Sequence, residues 1–344
     1  LLDLLLNVHY KITEENEREN LLPEEMLKLR IESLVTNEQI NIYQNMLKVG
    51  IVGLHNADVY MKALERLPAF TFCGIYDPSL LIDRYRTYNF NVFQSFTDVY
   101  EQCQAVIFSI DDNIYMPLVT EAVRHSLDVF LCGVHNFGFD ELQTLTLLRD
   151  EAGTSLVVGH PYIYTEIYQY LHTYCKHPLD IQCIISRSDN HNLMSLARTE
   201  VSMLLAFMRT NVHRVAVNVY SSFSSVPDSL RLRIDFDNGT IGNLVVDKYG
   251  IAPTHDIKIL NYNNITQADL LDNTVTNICS DKPDTPTLWN SKSQNQSIEY
   301  LQLKSFYDTI MCGNCLINSI ENEIRTQIAC EQIRAKMRIN FNVF

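Results

Sequence analysis

No uncharged apolar run approaches the roughly 18 residues that a membrane-spanning helix needs, so no such span is expected in this 344-residue chain. Basic residues are also few. Lys and Arg total 27 against 41 Asp and Glu, a formal net charge of -14. No stripe of Lys and Arg interrupts that excess, which excludes a nucleic acid as the expected partner, since phosphate backbones are held by clustered cations. Residues 1–6, LLDLLL, are too short for a span and lack the basic start and small-residue cleavage site of a secretory leader. The chain opens on Leu1 rather than Met, which leaves two readings: a fragment, or a native start at Met46.

Paired cysteines are missing too. The count is nine, an odd number, and the residues are scattered through apolar segments (Cys73, Cys103, Cys132, Cys183). That pattern reads as reduced thiols and a cytoplasmic location. Cys312 and Cys315 form a single CxxC with no second pair or suitably spaced histidines, so no metal site is expected there. A helix-end turn around Gly313 is the simpler reading.

Hydrophobic content of 46% with 20% charged residues describes an ordinary globular chain, and its length suggests two domains. Residues 1–45 stand apart. ITEENERENLLPEEMLKLRIESLV has helical spacing, with Pro23 and two acids at a helix start. This piece reads either as a helical extension packing on its own body or as a partner-binding arm.

From Leu47 the pattern alternates. LKVGIVG, FTFCGIYD, AVIFSI, DVFLCG and SLVVGH read as buried strands, and NVFQSF as a short extended piece. YMKALERLP, SLLIDRYRTY, TDVYEQC (opened by Thr97), PLVTEAVRHS and DELQTLTLLRDEAG read as helices. Apolar strands alternating with helices predict an α/β, Rossmann-type, doubly wound parallel sheet over residues 46–161. The remainder, 162–344, predicts an α+β domain with a large, mainly antiparallel open sheet. Its strands include LRLRIDF and TIGNLVVD, joined by a hairpin turn at Asp237-Asn238-Gly239. The helical stretch RTEVSMLLAFMRT sits among the strands, residues 261–297 read as a polar loop or long excursion, and two helices close the chain.

This order of parts resembles the Gfo/Idh/MocA family, the glucose-fructose oxidoreductase and inositol dehydrogenase type. The resemblance runs from about Met46 to the last helix. It is carried by LKVGIVGL, FQSFTDVYEQCQAVIFSI, YMPLVTEAVRHSLDVFLC and FYDTIMCGNCLINSIENEIRTQIACEQI. It implies NAD or NADP as cofactor, a sugar, cyclitol or related small polar substrate, and a homo-oligomer formed through the second-domain sheet.

The chemical residues depart from that pattern. In KVGIVGLHNADVY, Gly53 can make the tight turn of a phosphate loop, but His55 and Asp58 stand where the next two glycines belong. A carboxylate about 4 Å from a phosphate repels it by about 4 kcal/mol at an effective dielectric near 20. A turn one residue shorter would bring Ala57 to the third position and swing Asp58 away. Asp77, 24 residues beyond Gly53, is placed to hold ribose hydroxyls or to cap the segment after Pro78. The resemblance implies a Glu-Lys-Pro motif where this chain has Gly133-Val134-His135, so Val134 replaces the catalytic lysine. Its Thr-Pro-Asn-His becomes Ile110-Asp111-Asp112-Asn113, which puts Asp111 and Asp112 at the crevice. On the second-domain helix, Glu200 falls near the family's histidine and Met203 near its aspartate.

The expectation is therefore a degenerate protein with weak or no NAD(P) binding, acting by binding or assembly. The alternative is an active NAD(P)-dependent oxidoreductase with Glu200 and His135 as acid–base groups. Gly53, His55, Asp58, Asp77 and Asp111 would line its cofactor crevice. His55, His135 and His160 each follow a different strand of the first domain. They read either as solvated loop residues or as a crevice for a cation or small basic ligand.

Overall fold

The computed structural model describes residues 46–79, 90–110, 113–133, 137–187, 192–221, 227–248, 252–291, 296–313 and 318–341. The N-terminal piece, most of the SLLIDRYRTY helix, Asp111, Asp112, Val134 and His135 lie outside them.

Five short strands make the first sheet: β1 (Leu47–Val52), β2 (Phe70–Tyr76), β3 (Ala105–Phe108), β4 (Asp128–Leu131) and β5 (Leu156–Val158). All pair in parallel, in the order β2-β1-β3-β4-β5. Successive side chains of a strand face opposite ways, and here both faces are buried. Ile51, Ile107 and Phe130 enter one apolar cluster; Val52, Val106, Phe108, Val129 and Leu131 enter another. Among the described residues, four α-helices link these strands: α1 (Ala57–Glu65), α2 (Phe96–Gln102), α3 (Met116–Arg124) and α4 (Phe139–Ala152). The extended segment expected at NVFQSF adds no strand, only a single bridge from Val92 to Ile75. The cap of α2 is Ser95 rather than Thr97. Ser95 and Asp98 each satisfy the other's backbone N–H, and that reciprocal box starts the helix earlier.

The second sheet has eight strands. They are β6 (Asp180–Ser186), β7 (Val212–Tyr220), β8 (Ser229–Phe236), β9 (Ile241–Asp247), β10 (Thr254–Leu260), β11 (Asn264–Asp269), β12 (Thr274–Cys279) and β13 (Lys282–Asn290). The order is β13-β12-β11-β10-β6-β9-β8-β7, antiparallel except between β6 and β9. The expected hairpin joins β8 to β9, with Gly239 at φ 86°. The loop expected at 261–297 is instead the three-strand meander β11–β13. Its polarity misled because β13 is an outer strand, almost wholly exposed, and carries Pro283 and Pro286. An outer strand tolerates both, having no second neighbour to receive its N–H groups. Only a few inward residues, Thr266, Ala268 and Val275, reach the core.

Helices α5 (Glu166–Tyr174) and α6 (Leu193–Met208) follow β5 and β6, and α7 (Ile298–Cys312) and α8 (Ile320–Phe341) close the chain. Gly313, left-handed at φ 69°, ends α7, as the helix-end reading of the CxxC required; Cys315 is outside the described residues. Helix α7 packs on α1, and Phe306 lies near-parallel to Phe70 and tilted against Phe130. Helix α8 touches α4 and β5 of the first layer and α6 and β7 of the second. One apolar core therefore runs from the parallel sheet through α7 to the larger sheet.

Gly53 fixes the turn from β1 to α1. Its φ is 90°, and a Cβ there would lie 2.5 Å from the Ser109 carbonyl oxygen. Gly53→Ala should therefore lower the unfolding free energy by about 2–4 kcal/mol, measured by urea titration. An unchanged midpoint would show that the turn can relax.

Candidate functional site

The carboxyl ends of parallel strands form the edge at which doubly wound proteins bind ligands. Gly53 donates to the Tyr76 carbonyl at 2.9 Å. The next turn is stapled to the end of β3. His55 N–H donates to the Ser109 carbonyl at 3.0 Å, and the Ser109 hydroxyl donates back to the His55 carbonyl. Asn56 is left-handed at φ 55° and starts α1 without a side-chain cap. Ala57 is buried against the sheet, and His55 and Asp58 are exposed. The shorter-turn reading thus describes the backbone: the small residue packs and Asp58 faces solvent.

Asp77 is 5% exposed. Its Oδ1 accepts from Ser79 N–H at 2.7 Å and its Oδ2 from the Tyr115 hydroxyl at 2.9 Å. The first closes a side-chain turn over Pro78, and the helix it would cap lies outside the described residues; the second ties β2 to the short 3₁₀ turn Asn113–Tyr115.

His160 follows β5 and is buried. Its Nδ1 accepts from Tyr162 and Ile163 N–H at 3.1 and 3.3 Å, so Nε2 carries the proton and donates to the Thr199 carbonyl at 3.0 Å. This histidine holds the β5–α5 turn against α6 and is not a solvated loop residue. His55 follows β1, three strand spacings away, roughly 14 Å at 4.8 Å per strand. Both ring nitrogens of His160 are already engaged, so its ring is not offered to an ion beside His55.

A cleft of about 170 Å³ opens beside His160, between the ends of β4 and β5 and helices α6, α7 and α8. Its floor is a buried polar network. Arg198 and Ser202, one turn apart on α6, face Glu323 and Gln327, one turn apart on α8. Arg198 Nη2 lies 3.3 Å from Glu323 Oε2, and Nη1 donates to Gln327 Oε1 at 2.7 Å. The Ser202 hydroxyl and the Asn318 amide both donate to Glu323 Oε1, at 2.9 and 3.2 Å. On the wall, Gln302 donates to the His160 carbonyl at 2.9 Å and accepts from the Tyr60 hydroxyl at 3.0 Å. Burial raises the Tyr60 phenol far above its ordinary value. Loss of water around Cys132 pushes its thiol up to about 12, so both stay protonated near neutrality.

Glu200 lines none of this cleft. It is not a helix-surface residue either, being fully buried on the opposite side of α6 with Cys183 and His255. Met203 is likewise buried in the core. Arg198, Gln302 and Glu323 were not singled out from the sequence. The available signal was an arginine inside an otherwise apolar helical stretch, matched by paired polar positions on the last helix.

No family model and no curated protein matches the chain by sequence. Solved structures match it closely in shape. UDP-N-acetylglucosamine 3-dehydrogenase GnnA from Acidithiobacillus ferrooxidans is 13% identical, with a TM-score of 0.75 over 85% of this chain and 97% of its own. GenD2 from gentamicin A biosynthesis, in complex with NAD, is 12% identical, with a TM-score of 0.67 over 85% and 94%. An oxidoreductase from Agrobacterium radiobacter, in complex with NAD+, L-tartaric acid and magnesium, is 12% identical, with a TM-score of 0.70 over 84% and 96%. These neighbours are Gfo/Idh/MocA-type dehydrogenases, and the chain shares their fold, a parallel five-strand sheet followed by an eight-strand, mainly antiparallel sheet, as its sequence led one to expect.

Glu323→Ala would leave Arg198 charged and buried without its partner. The expected loss is about 3–5 kcal/mol of stability, read by urea unfolding. Adding Arg198→Met should recover part of that loss; no recovery would show that Glu323 acts mainly through Ser202 and Asn318.

Proposed function

We propose that this chain is a divergent protein of the Gfo/Idh/MocA type that acts by binding a small polar ligand or by assembly, without hydride transfer. The observation that carries this reading is Asp77. A ribose needs an accessible carboxylate at the end of β2, and this one is buried and engaged by Ser79 and Tyr115. The residues present do not fit a dinucleotide: His55 occupies the position where the backbone would approach the pyrophosphate, and Val134 replaces the expected lysine. The division near residue 161, a cytoplasmic location and self-association through the second-domain sheet belong to the same proposal. Ile184, on the central strand β6, keeps 42% of its surface exposed on that sheet's outer face, which supports association there. Among the described residues, no helix is long and apolar enough to cross a membrane.

The second reading is an active NAD(P)-dependent oxidoreductase on a sugar, cyclitol or related compound. It is favoured by the cleft itself, which lies at the carboxyl edge between the two domains and is lined by polar groups. Thermal unfolding with NADH or NADPH separates the two. At 100 times Kd a cofactor stabilises by about 2.7 kcal/mol, a shift of at least ~2 °C for a chain of this size. The expected shift at ~1 mM, which is 100 times a Kd of ~10 μM, is none. A clear shift would overturn the first reading at the level of binding, and substrate-dependent NADH formation would overturn it for chemistry.

A further inference from the structure

Three side chains of different chemistry meet inside the second domain, away from the cleft. Cys183 lies on β6, His255 on β10 and Glu200 on α6. The antiparallel register pairs Cys183 with Ile257 and Ile185 with His255. Cys183 and His255 are therefore diagonal neighbours on the same face of the sheet. Glu200 descends between them from the covering helix. Its Oε2 accepts from the Cys183 thiol at 3.2 Å and lies 3.0 Å from His255 Nε2. None of the three has exposed surface beyond 1%. One donor atom from each lies within 4.8 Å of the others. Two more polar atoms, Glu200 Oε1 and His255 Nδ1, are buried with no hydrogen-bond partner among the described residues.

We propose that Cys183, Glu200 and His255 form a structural site for one zinc-class divalent cation. The donor set is sulfur, imidazole nitrogen and carboxylate oxygen, which suits zinc and its neighbours and not magnesium or calcium. Charge favours the same assignment. A thiolate, a carboxylate and a neutral imidazole around a dication sum to zero, so no net charge is left in the interior. Metal-ligand bonds of about 2.0–2.3 Å imply donor–donor separations of roughly 3.3–3.7 Å. The present 3.0 and 3.2 Å separations need open only slightly. Glu200 Oε1 shares its carbon with the ligating Oε2 and is the available fourth donor. Binding forms metal–sulfur, metal–nitrogen and metal–oxygen bonds and breaks the thiol S–H bond, while the His255 proton that faces Glu200 shifts from Nε2 to Nδ1 and frees Nε2 to ligate. The thiol proton leaves to solvent, and the imidazole keeps its remaining proton on Nδ1. Without a cation, burial and the neighbouring Glu200 raise the Cys183 thiol well above its ordinary value. The enclosed position means that the cation enters as the domain folds.

The test is the full chain produced in zinc-supplemented medium, gel-filtered without chelator and assayed for metal by mass spectrometry and X-ray absorption. The expected result is about one zinc per chain, with a single sulfur in its first coordination sphere. Cys183→Ser should keep the circular dichroism spectrum and lose at least ~90% of the zinc, because a hydroxyl is a far poorer ligand than a thiolate. Metal-free wild-type protein overturns the proposal. So does bound zinc with no sulfur or two, or zinc that survives in Cys183→Ser. If that variant does not fold, the sulfur count in the wild type decides.

Discussion

The buried pair Arg198–Glu323 is the interaction on which the arrangement of the two layers turns. Helix α8 touches α4 and β5 on one side and α6 and β7 on the other, so its position fixes how the parallel sheet meets the antiparallel one. Apolar packing alone would allow it to slide or rotate by a turn. A guanidinium and a carboxylate, each about 95% or more buried, favour the register in which they meet, since a slip would leave both charges buried and unpaired. Such a pair adds little net stability, because desolvation offsets most of the attraction. What it adds here is specificity, reinforced by Ser202, Asn318 and Gln327, which satisfy most of the remaining donors and acceptors.

The same network forms the floor of the cleft, so architecture and site are not separable in this molecule. His160 is held by three hydrogen bonds at the end of β5, and Gln302 bridges its carbonyl to Tyr60 on α1. These groups are tied to the fold by their own hydrogen bonds. At the other end of the sheet, the β1–α1 turn is closed on Ser109, and Asp77 is turned inward toward Tyr115. The cleft beside β4 and β5 is lined by polar groups, while Ser109, the His55 backbone and Asp77 at the ends of β1, β2 and β3 are bonded to neighbours within the fold.

Most of the fold was legible in the sequence, because buried parallel strands leave apolar runs and hairpins leave Asn-Gly. The parts that were not legible fail for physical reasons. The meander β11–β13 has one solvated face and few core residues, so its composition is that of a loop. Helix α5 is short and rich in tyrosine, without the aliphatic stripe that marks longer helices. The site was harder still. Glu200 sits in a helix whose charge pattern does not say which face it occupies, and only the structure shows it pointing at His255, 55 positions away. Arg198 and Glu323 are 125 residues apart, and nothing local ties one to the other.

The two margins of the eight-stranded sheet differ in a way that limits how copies of this protein can meet. Along β7 the margin is covered by α8, whose Lys336 donates to the Val215 carbonyl. Along β13 no further strand pairs among the described residues, and Pro283 and Pro286 carry no N–H to offer an incoming one. Neither margin can therefore act as a template for lateral growth of the sheet. Among the described residues, both ends of this long sheet thus carry a device that opposes edge-to-edge polymerisation, a covering helix at one and proline at the other.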